Sequence, residues 1–238
     1  MKFENTEVWG FKHALKGMRN ALESWNSGDT YVSMYINALH PMSSFKSDEN
    51  NVCYYIGNNA MTVQIGSNDL KLAQSLIKAG DSHSKFMRMI HVAVDTNMPR
   101  YWWSEADTYH FNTKNSCSTM HKLLNNTRPI TLEMFVICEE DKVWWEDTIH
   151  RIEELRKEYK TIQSTTNDKK AMDRLLLRAK RMLPEGFLQM RTWDTTYAEL
   201  RNMYFQRRHH RLKEEWVDNF CNWVESLPYA KELICYEK

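Results

Sequence analysis

Two helical patterns in tandem constrain this chain more than any other feature of its sequence. In the first, Trp145, Ile149, Ile152 and Tyr159 recur at helical spacing, which predicts a long amphipathic helix. A second apolar face follows the polar stretch Ser164 to Asp168. Its members are Met172, Leu175, Leu176, Ala179 and Met182. Because a short polar connection returns the chain beside the helix it has left, we expect two antiparallel helices packed through their apolar faces.

Short β-type runs lie on both sides of the helical pair and predict a sheet. The stretch from Cys53 to Ile65 contains two such runs around Gly57-Asn58-Asn59, which indicates a hairpin. Phe86 to Val94 and Phe187 to Trp193 each predict one strand. A mixture of this kind, with helix in excess, is typical of the α+β class.

The N-terminal part of the chain is predicted to form two helices separated by a loop. Trp9 to Trp25 carries apolar residues near helical spacing, whereas Asn26 to Asn51 is polar and rich in turn-forming residues. Ser67 or Asn68 can cap the next helix, and Gly80 is expected to end it as a left-handed residue.

Three further segments complete the expected secondary structure. Pro99 is expected to open a helix that includes two adjacent tryptophans. The stretch Thr131 to Cys138 fits a helical turn or a strand, and its pattern does not decide between them. Thr195 or Thr196 can cap a last helical region that reaches Glu225.

The composition bounds the class of protein. A chain of 238 residues, 42% hydrophobic and 26% charged, predicts a single domain over 1–238 with a packed core. The formal net charge of +1 gives no broad field for nucleic acid or an anionic membrane, so neither partner is predicted. The sequence shows no signal-peptide pattern and no bilayer-spanning run, which predicts a cytoplasmic protein. The five cysteines lack zinc-ligand spacing, so no metal is predicted.

A polar segment, Asp107 to Leu123, is the first candidate for chemistry. It is dense in hydroxyl and amide side chains and lies between two apolar, helix-like stretches. A solvated loop would have this composition, and composition alone favours that interpretation. The segment also fits an anion pocket in which hydroxyls, backbone N–H groups and Lys122 hold a phosphate.

The C-terminal helix is the second candidate. Leu200, Met203 and Arg207 fall at spacings of three and four, so Arg207 lies on or beside the apolar face. A guanidinium in that position needs an anion or a path to solvent. Spacing alone leaves two interpretations open, a bound anionic ligand or a snorkelling arginine paired with Glu215 or Glu199.

The polar segment resembles a motif of the flavin-dependent thymidylate synthases. That family carries the pattern R-H-R-x-x-S-x-N-E-x-S-x-R-Y, often followed by Ser, Lys and Leu. Asn115 matches the Asn, Ser118 the second Ser, and Lys122-Leu123 the trailing pair. Thr108-Tyr109-His110 stands in place of R-H-R, and His83 matches an upstream Gly-His of the family.

The C-terminal helix is similar to the same family. Its helix reads L-x-N-F-x-x-x-R with a Glu two turns further on, after a strand that begins near Leu-Pro. The run Leu200 to Arg207, followed by Glu215 and preceded by Leu183-Pro184, agrees in order and spacing. The resemblance covers about Gly66 to Leu227.

The resemblance implies a fold, an activity and a set of site residues. The fold is the α+β thymidylate synthase-complementing-protein-like fold, in which a small mixed or antiparallel sheet is flanked by long helices. The activity is methylation of dUMP to dTMP with FAD as cofactor and NADPH and methylenetetrahydrofolate as co-substrates, in a homotetramer. Arg207 takes the catalytic role of the arginine that activates the pyrimidine ring. The implied substrate-binding residues are Asn115, Ser116, Ser118, Thr119, His121 and Lys122, and the implied cofactor-binding residues are His83, Thr108, Tyr109, His110 and Asn202.

Several replacements keep two other functions open. Besides R-H-R, the family's Arg-Tyr is replaced by Met120-His121 and its strand-end arginine by Ala198, so cationic groups that hold phosphates are lost. One alternative is a related flavin-dependent modification, such as hydroxymethylation, of another pyrimidine nucleotide. The other is a non-catalytic nucleotide-binding homologue.

Overall fold

The computed structural model describes residues 1–36, 47–48, 51–56 and 59–237, which form an α+β chain. The strands are β1 (Lys2–Trp9), β2 (Tyr31–Ile36), β3 (Ser47–Asp48), β4 (Asn51–Ile56), β5 (Asn59–Gln64), β6 (His91–Pro99), β7 (Thr113–Ser116) and β8 (Leu188–Thr196). The α-helices are α1 (Phe11–Met18), α2 (Ser67–Ala79), α3 (Arg100–Ala106), α4 (Thr119–Lys122), α5 (Lys142–Ser164), α6 (Lys169–Met182), α7 (Tyr197–Arg207) and α8 (Asn222–Glu225). Two π-helices, Lys213–Cys221 and Ala230–Ile234, lie after α7.

The described strands form two four-stranded sheets. One has the order β1-β6-β8-β7 and the other the order β2-β5-β4-β3. The second sheet is antiparallel, and Val63 of β5 lies opposite Val32 on one side and Val52 on the other. The two strands predicted in this region are confirmed as β4 and β5, which pair antiparallel. Gly57 and Asn58 lie outside the described residues.

The chain divides into two compact units. Unit 1 comprises Asn97–Thr108 and Asn115–Arg191, together with Met1. Unit 2 comprises Lys2–Thr96, Tyr109–Lys114 and Thr192–Lys238.

The helical pair α5 and α6 supplies the core of unit 1. Ile149, Ile152 and Leu155 of α5 are buried together with Leu175 and Ala179 of α6. Burial of such a side chain stabilises the fold by about 1.5–3 kcal/mol, so this seam is a major source of the unit's stability. The two helices predicted from apolar spacing are therefore confirmed.

Aromatic residues dominate the core of unit 2. Trp193 of β8, Tyr197 of α7 and Trp216 of the first π-helix are fully buried. Phe11 of α1 meets Tyr197 edge-on, with ring centroids 5.5 Å apart. Edge-to-face pairs of this kind stabilise beyond their buried area. They hold the end of β8 and the start of α7 in place.

Four polar residues of unit 2 form a hydrogen-bonded network around the buried pair Arg19 and Asp69. We call this network the Asp69 cluster, and its members are Arg19, Asp29, Thr30 and Asp69. The Asp69 carboxylate accepts hydrogen bonds from Nε of Arg19 at 2.6 Å and from Oγ1 of Thr30 at 2.5 Å. It also accepts from the backbone N–H groups of Asp29 at 3.2 Å and Thr30 at 2.9 Å. Each carboxylate oxygen thus has a partner, as a buried charge requires.

The N-terminus of α2 is capped from a distance. Asp29 accepts hydrogen bonds from the backbone N–H groups of Asn68 at 2.9 Å and Asp69 at 3.0 Å. Burial acts to raise the pKa of Asp29, but these N–H groups hold that pKa below its ordinary value. The predicted capping by Ser67 or Asn68 is therefore wrong, because the N-cap position is Gly66 and the capping carboxylate comes from Asp29. The predicted end of the helix at Gly80 is confirmed, with φ of 105°.

The first helix is shorter than its apolar pattern predicts. It follows Gly10, which has φ of 100°, and spans eight residues. A Cβ atom at Gly10 would clash with the carbonyl oxygen of Met89, so only glycine fits where β1 turns into α1. The helix ends at Arg19, which turns into the Asp69 cluster. The prediction of one helix from Trp9 to Trp25 is wrong at both ends, since Trp9 lies in β1 and two 3-10 turns follow.

Two other predicted boundaries are wrong. The strand predicted from Phe86 to Val94 starts late, because Lys85–Met89 forms a 3-10 helix before β6. Phe86 and Met87 are adjacent and both buried, whereas neighbours in a strand point to opposite faces. The stretch Asn26 to Asn51, predicted as loop, contains β2 and β3, and part of it lies outside the described residues.

Most predictions for the later part of the chain are confirmed. Pro99 is the N-cap residue of α3. Thr196 caps α7, where its hydroxyl accepts the N–H of Glu199 at 3.4 Å, and the helical region reaches α8 after a break. The undecided stretch Thr131 to Cys138 holds a 3-10 turn and an isolated bridge at Phe135. None of the helices in the described ranges has the length and apolar character needed to cross a bilayer.

Candidate functional site

A cavity of about 710 Å³ opens in unit 2. The end of β8 and the first turns of α7 form one side, and the residues after α2 form another. Its volume is within the range of small-molecule sites, and side chains of both charges line it. The cavity is therefore a candidate ligand site.

Three hydrogen-bond acceptors on one side of this cavity form what we call the acceptor wall: Asp194, Thr195 and Glu199. Glu199 is 5% exposed as a whole residue and lines the cavity. No residue in the described ranges donates a hydrogen bond to its carboxylate. Oγ1 of Thr195 is buried and has no hydrogen-bond partner among the described residues. Oδ1 of Asp194 lies 3.5 Å from Nδ1 of His91 without hydrogen-bond geometry.

Two arginines and two phenylalanines line the same cavity. The Arg88 guanidinium carbon lies 5.9 Å from the ring centroid of Phe111, and that of Arg201 lies 4.6 Å from the ring of Phe205. Nη1 of Arg201 also donates to the carbonyl oxygen of Ile234 at 2.6 Å. Burial lowers the pKa of Arg201. This side of the cavity therefore offers two aromatic rings and two guanidinium groups. Part of the hydrogen-bonding capacity of Arg201 is already used by the carbonyl oxygen of Ile234.

Arg207, at the end of α7, is held by aromatic residues of unit 2. Its Nε donates to the hydroxyl of Tyr109 at 2.9 Å, and its guanidinium carbon lies 5.5 Å from that ring. On the π-helix, the Trp216 ring lies 4.5 Å from the same carbon. The hydroxyl of Tyr109 in turn donates to Oε1 of Gln206 at 3.0 Å. Cation–π contacts of this kind stabilise by about 0.5–2 kcal/mol and fix the guanidinium plane.

A second cavity, of about 260 Å³, lies in unit 1. Ser118, Thr119 and Lys122 line it, together with Arg128 and apolar residues. The hydroxyl of Ser118 caps α4 by accepting the N–H of His121 at 3.3 Å. Three of the predicted substrate-binding residues therefore face one cavity.

Two cationic side chains of unit 1, Lys180 and Arg100, lie close to each other, and Lys180 contacts α4. Nζ of Lys180 donates to Oγ1 of Thr119 at 2.5 Å. Burial, reinforced by the nearby Arg100 guanidinium, lowers the pKa of Lys180. An anion bound at Thr119 would raise the pKa of Lys180 again, because a nearby negative charge favours the protonated form of its amine.

The structure distributes the predicted site residues over both units. In unit 2, Asn202 lines the larger cavity and accepts from Nε2 of Gln206 at 2.7 Å, whereas His83 and His110 are exposed. Tyr109 is buried and bonded to Arg207, and Arg207 is not among the described residues that line the cavity. In unit 1, the exposed members are Thr108, Asn115, Ser116, His121 and Lys122.

Sequence reasoning missed several residues of these two sites. It weighed Glu199 only as a partner for Arg207, but the Glu199 carboxylate has no partner in the described ranges and faces the cavity. It did not single out His91, Asp194 or Lys180. Glu199 shares the helix of the matched motif and lies three residues after the capping Thr196, but neither feature distinguishes it in the sequence from other charged residues.

The fold is similar to that of known enzymes, although no protein-family model matches the chain and no curated protein sequence is similar to it. One similar structure is flavin-dependent thymidylate synthase ThyX from Helicobacter pylori complexed with FAD and dUMP, at 15% identity and a TM-score of 0.64. The match covers 98% of this chain and 98% of that chain. A second is Thymidylate Synthase X from the same organism with FAD and dUMP, at 16% identity, coverage of 98% and 97%, and a TM-score of 0.63. The predicted fold class is confirmed.

Proposed function

We propose that this chain is a flavin-dependent enzyme that methylates dUMP to dTMP, with NADPH and methylenetetrahydrofolate as co-substrates. The observation that carries the proposal is the setting of Arg207, an arginine at the matching point of the C-terminal helix that is held by two aromatic rings. We also propose a homotetramer, a single functional domain over 1–238 and a cytoplasmic location. These follow from the sequence and from the family that it resembles.

Arg207 is suited to stabilise negative charge on a pyrimidine carbonyl. Its guanidinium is fixed by Tyr109 and Trp216, so little reorganisation is needed when charge develops. Arginine stays protonated at any physiological pH, which suits a group that acts by electrostatics rather than by proton transfer.

The residues of the unit 2 cavity fit the ring system of a flavin. The cavity is large enough for a cofactor fragment, and the rings of Phe111 and Phe205 offer aromatic surface. Asn202 supplies an amide, and Arg88 supplies a cation toward a pyrophosphate. When bound, the flavin would supply the redox chemistry of the reaction, and the protein would bind and orient the reactants.

The cations of unit 1 support a role in phosphate binding. Thr119, Lys122 and Lys180 present a hydroxyl and two amines near the 260 Å³ cavity. Charge-assisted hydrogen bonds to phosphate are worth about 1.5–3 kcal/mol each. This set would replace part of the positive charge lost with the family's arginines.

One observation favours a second candidate, a nucleotide-binding homologue without flavin. The Tyr109 side chain, which replaces the histidine of R-H-R, is buried and bonded to Arg207 and Gln206. Its neighbours Thr108 and His110 are exposed. A flavin contact from this segment would then depend on two short side chains in place of two arginines.

The test combines flavin content with turnover. We expect the purified protein to retain a flavin absorbance band after addition of FAD and desalting, and to convert dUMP to a product heavier by one methyl group. Arg207→Ala should reduce turnover at least 100-fold while the folded state persists, as removal of one charge-stabilising donor does. Arg207→Lys, which keeps the charge without the planar fork, is the matched control.

The outcomes separate the candidates. A colourless protein that binds no FAD with or without dUMP would rule out flavin-dependent catalysis and favour the homologue without flavin. Retained flavin with turnover of dCMP rather than dUMP, read from product mass, would identify another pyrimidine as the substrate. Full activity in Arg207→Ala would refute its catalytic role.

A further inference from the structure

Three polar side chains line the larger cavity of unit 2, and none of them forms a hydrogen bond to another. Nδ1 of His91 lies 3.5 Å from Oδ1 of Asp194, and the pair lacks hydrogen-bond geometry. Oγ1 of Thr195, the next residue of β8, is buried and has no hydrogen-bond partner among the described residues. We call these three residues the polar trio.

A ligand in the cavity can reach the polar trio. The side chains of His91 and Asp194 are 39% and 46% exposed. The hydroxyl of Thr195 is covered, but a rotation about its Cα–Cβ bond breaks no hydrogen bond to any described residue. The His91 ring is stacked on Trp9, with centroids 5.4 Å apart and 12° between the ring planes, which restrains its orientation. The trio therefore offers accessible polar atoms beside one ordered ring.

The unpartnered atoms favour a ligand that both donates and accepts hydrogen bonds. A buried polar atom without a partner is unfavourable, so a group that binds it recovers part of that free energy. The Asp194 carboxylate only accepts, whereas the Thr195 hydroxyl donates and accepts. A hydroxyl group of a ligand can donate to the carboxylate and accept from a neighbouring donor, so adjacent hydroxyls match this set.

The charges on this side of the cavity exclude other ligand groups. Asp194 and Glu199 both belong to the acceptor wall, so a phosphate there would meet two carboxylates. For a metal ion, no group of three or more ligating side chains lies within the described ranges. Neutral hydroxyls are not repelled, and acidic side chains bind ribose hydroxyls in dinucleotide-binding folds.

We propose that Asp194 and Thr195 of the polar trio bind the ribityl chain of the flavin, beside the imidazole of His91. This inference rests on the proposed function and deepens it, since it names the part of the cofactor that the acceptor wall takes. The ring system is left to the side of the cavity where Phe111 and Phe205 lie. The ribose of the adenosine half has the same hydroxyl chemistry, and the experiment separates the two.

The test is binding of FAD, riboflavin and lumiflavin to the purified full chain, followed by flavin absorbance and fluorescence. Lumiflavin has the ring system but no ribityl chain. Asp194→Asn keeps the size of the side chain and removes its charge, and we expect roughly ten-fold weaker binding of riboflavin and FAD. Thr195→Val removes one hydroxyl, and we expect roughly three- to ten-fold weaker binding. Lumiflavin affinity should change less than about two-fold in both variants.

Two substitutions are matched controls. Asp81→Asn removes the charge of an exposed carboxylate that lines the same cavity. Thr96→Val removes a hydroxyl of β6 that is also buried and unpartnered within the described ranges, but Thr96 is not among the described residues that line the cavity. Both should leave riboflavin affinity within about two-fold of the wild type. A difference between Thr195→Val and Thr96→Val therefore reports contact with the ligand.

The three flavins and ADP separate the outcomes. Weaker binding of riboflavin and FAD in Asp194→Asn and Thr195→Val, with lumiflavin unaffected, supports the assignment. The assignment is overturned if both variants bind riboflavin as the wild type does, or if lumiflavin binding falls equally. Weaker binding of FAD and ADP with unchanged riboflavin affinity would also overturn it, because these residues would then take the ribose of the adenosine half.

Turnover of dUMP in the same preparations separates a failure of this inference from a failure of the proposed function. Wild-type turnover, with riboflavin affinity unchanged in both variants, would refute the role of Asp194 and Thr195 and leave the function standing. Flavin binding that depends on these two residues, without methyl transfer, would refute the function and leave the site standing. A wild type that binds no flavin would overturn both.

Discussion

Two polar clusters of unit 2 differ in how their buried acceptors are satisfied. In the Asp69 cluster, the carboxylate of Asp69 accepts from a guanidinium, a hydroxyl and two backbone N–H groups. In the acceptor wall, the buried hydroxyl of Thr195 and Oδ1 of Asp194 have no hydrogen-bond partner among the described residues.

The difference separates a group that stabilises the fold from one that is available for binding. A buried carboxylate that accepts several hydrogen bonds recovers its desolvation cost within the protein, and loss of that carboxylate exposes the cost of its partners. An unsatisfied group leaves the cost uncovered in the free protein, and a ligand recovers it on binding. Burial alone therefore does not identify a functional polar group, because the buried Asp69 carboxylate is fully occupied by the protein.

The largest effect is expected from Asp69→Ala. The substitution leaves the Arg19 side chain, which is 6% exposed, without its carboxylate, and we expect a loss of about 3–5 kcal/mol in the free energy of unfolding. Urea denaturation measures it. Glu199→Ala is the matched comparison and should change stability by less than about 1 kcal/mol, because its carboxylate forms no hydrogen bond or ion pair with any described residue. Equal losses in the two variants would abolish the distinction between the clusters.

A pair of isosteric substitutions should give effects of opposite sign. Thr30→Val removes a hydroxyl that donates to Asp69 at 2.5 Å, and we expect a loss of about 1.5–3 kcal/mol. Thr195→Val removes a buried hydroxyl with no partner in the described ranges, and we expect a gain of about 1 kcal/mol. Thermal unfolding of both variants beside the wild type measures the signs. A destabilised Thr195→Val would mean that this hydroxyl is satisfied in solution.

Tyr109→Phe tests a group that is partnered and also lies at the proposed site. The ring and its cation–π contact with Arg207 remain, while the hydrogen bonds to Arg207 and Gln206 are lost. We expect a loss of about 0.5–1.5 kcal/mol in stability. If Arg207 acts on the substrate, kcat of the folded enzyme should also fall, with little change in KM. An unchanged kcat would place Tyr109 with the structural group.

The smallest effect is expected from a half-buried carboxylate with two partners, Asp95. Hydrogen bonds from Asn5 at 2.9 Å and Thr192 at 2.6 Å lower the pKa of Asp95. A depressed carboxyl pKa contributes stability that is present at neutral pH and is lost as the pH falls through and below about 3.8. Asp95→Asn should therefore lose less stability than the wild type between pH 5 and pH 2.5. Parallel pH profiles from acid denaturation would contradict this.

The elements that were predicted correctly are those whose pattern is local. The pair α5 and α6 shows its apolar face in its own spacing, and α7 shows both its cap and its buried stripe. In contrast, α1 is cut short by Arg19, whose partner Asp69 lies 50 residues away in sequence. Strands β1 and β2 lack strong alternation, and their pairing depends on distant segments.

The candidate site divides in the same way. Arg207 could be proposed from helical spacing and motif order, because both can be read from residues close to it in the sequence. The place of Glu199 in the cavity wall could not, since a charged residue in the first turn of a helix is ordinary at the sequence level. What distinguishes Glu199 is that it lines a cavity and that no described residue donates a hydrogen bond to its carboxylate. The cavity exists only because β8, α7 and the residues after α2 pack around it.

The π-helix Lys213–Cys221 has a consequence for insertions and deletions. Each turn of this helix holds about one residue more than an α-helical turn. Residues five apart therefore lie on the same face, and the buried face carries two such pairs: Glu215 with Phe220, and Trp216 with Cys221. Removing one residue would restore α-helical turns and rotate the following side chains by about 100° around the axis. A deletion just before Trp216 would carry its ring away from Arg207, even though neither residue had changed. The number of residues in the π-helix therefore keeps the Trp216 ring against the Arg207 guanidinium.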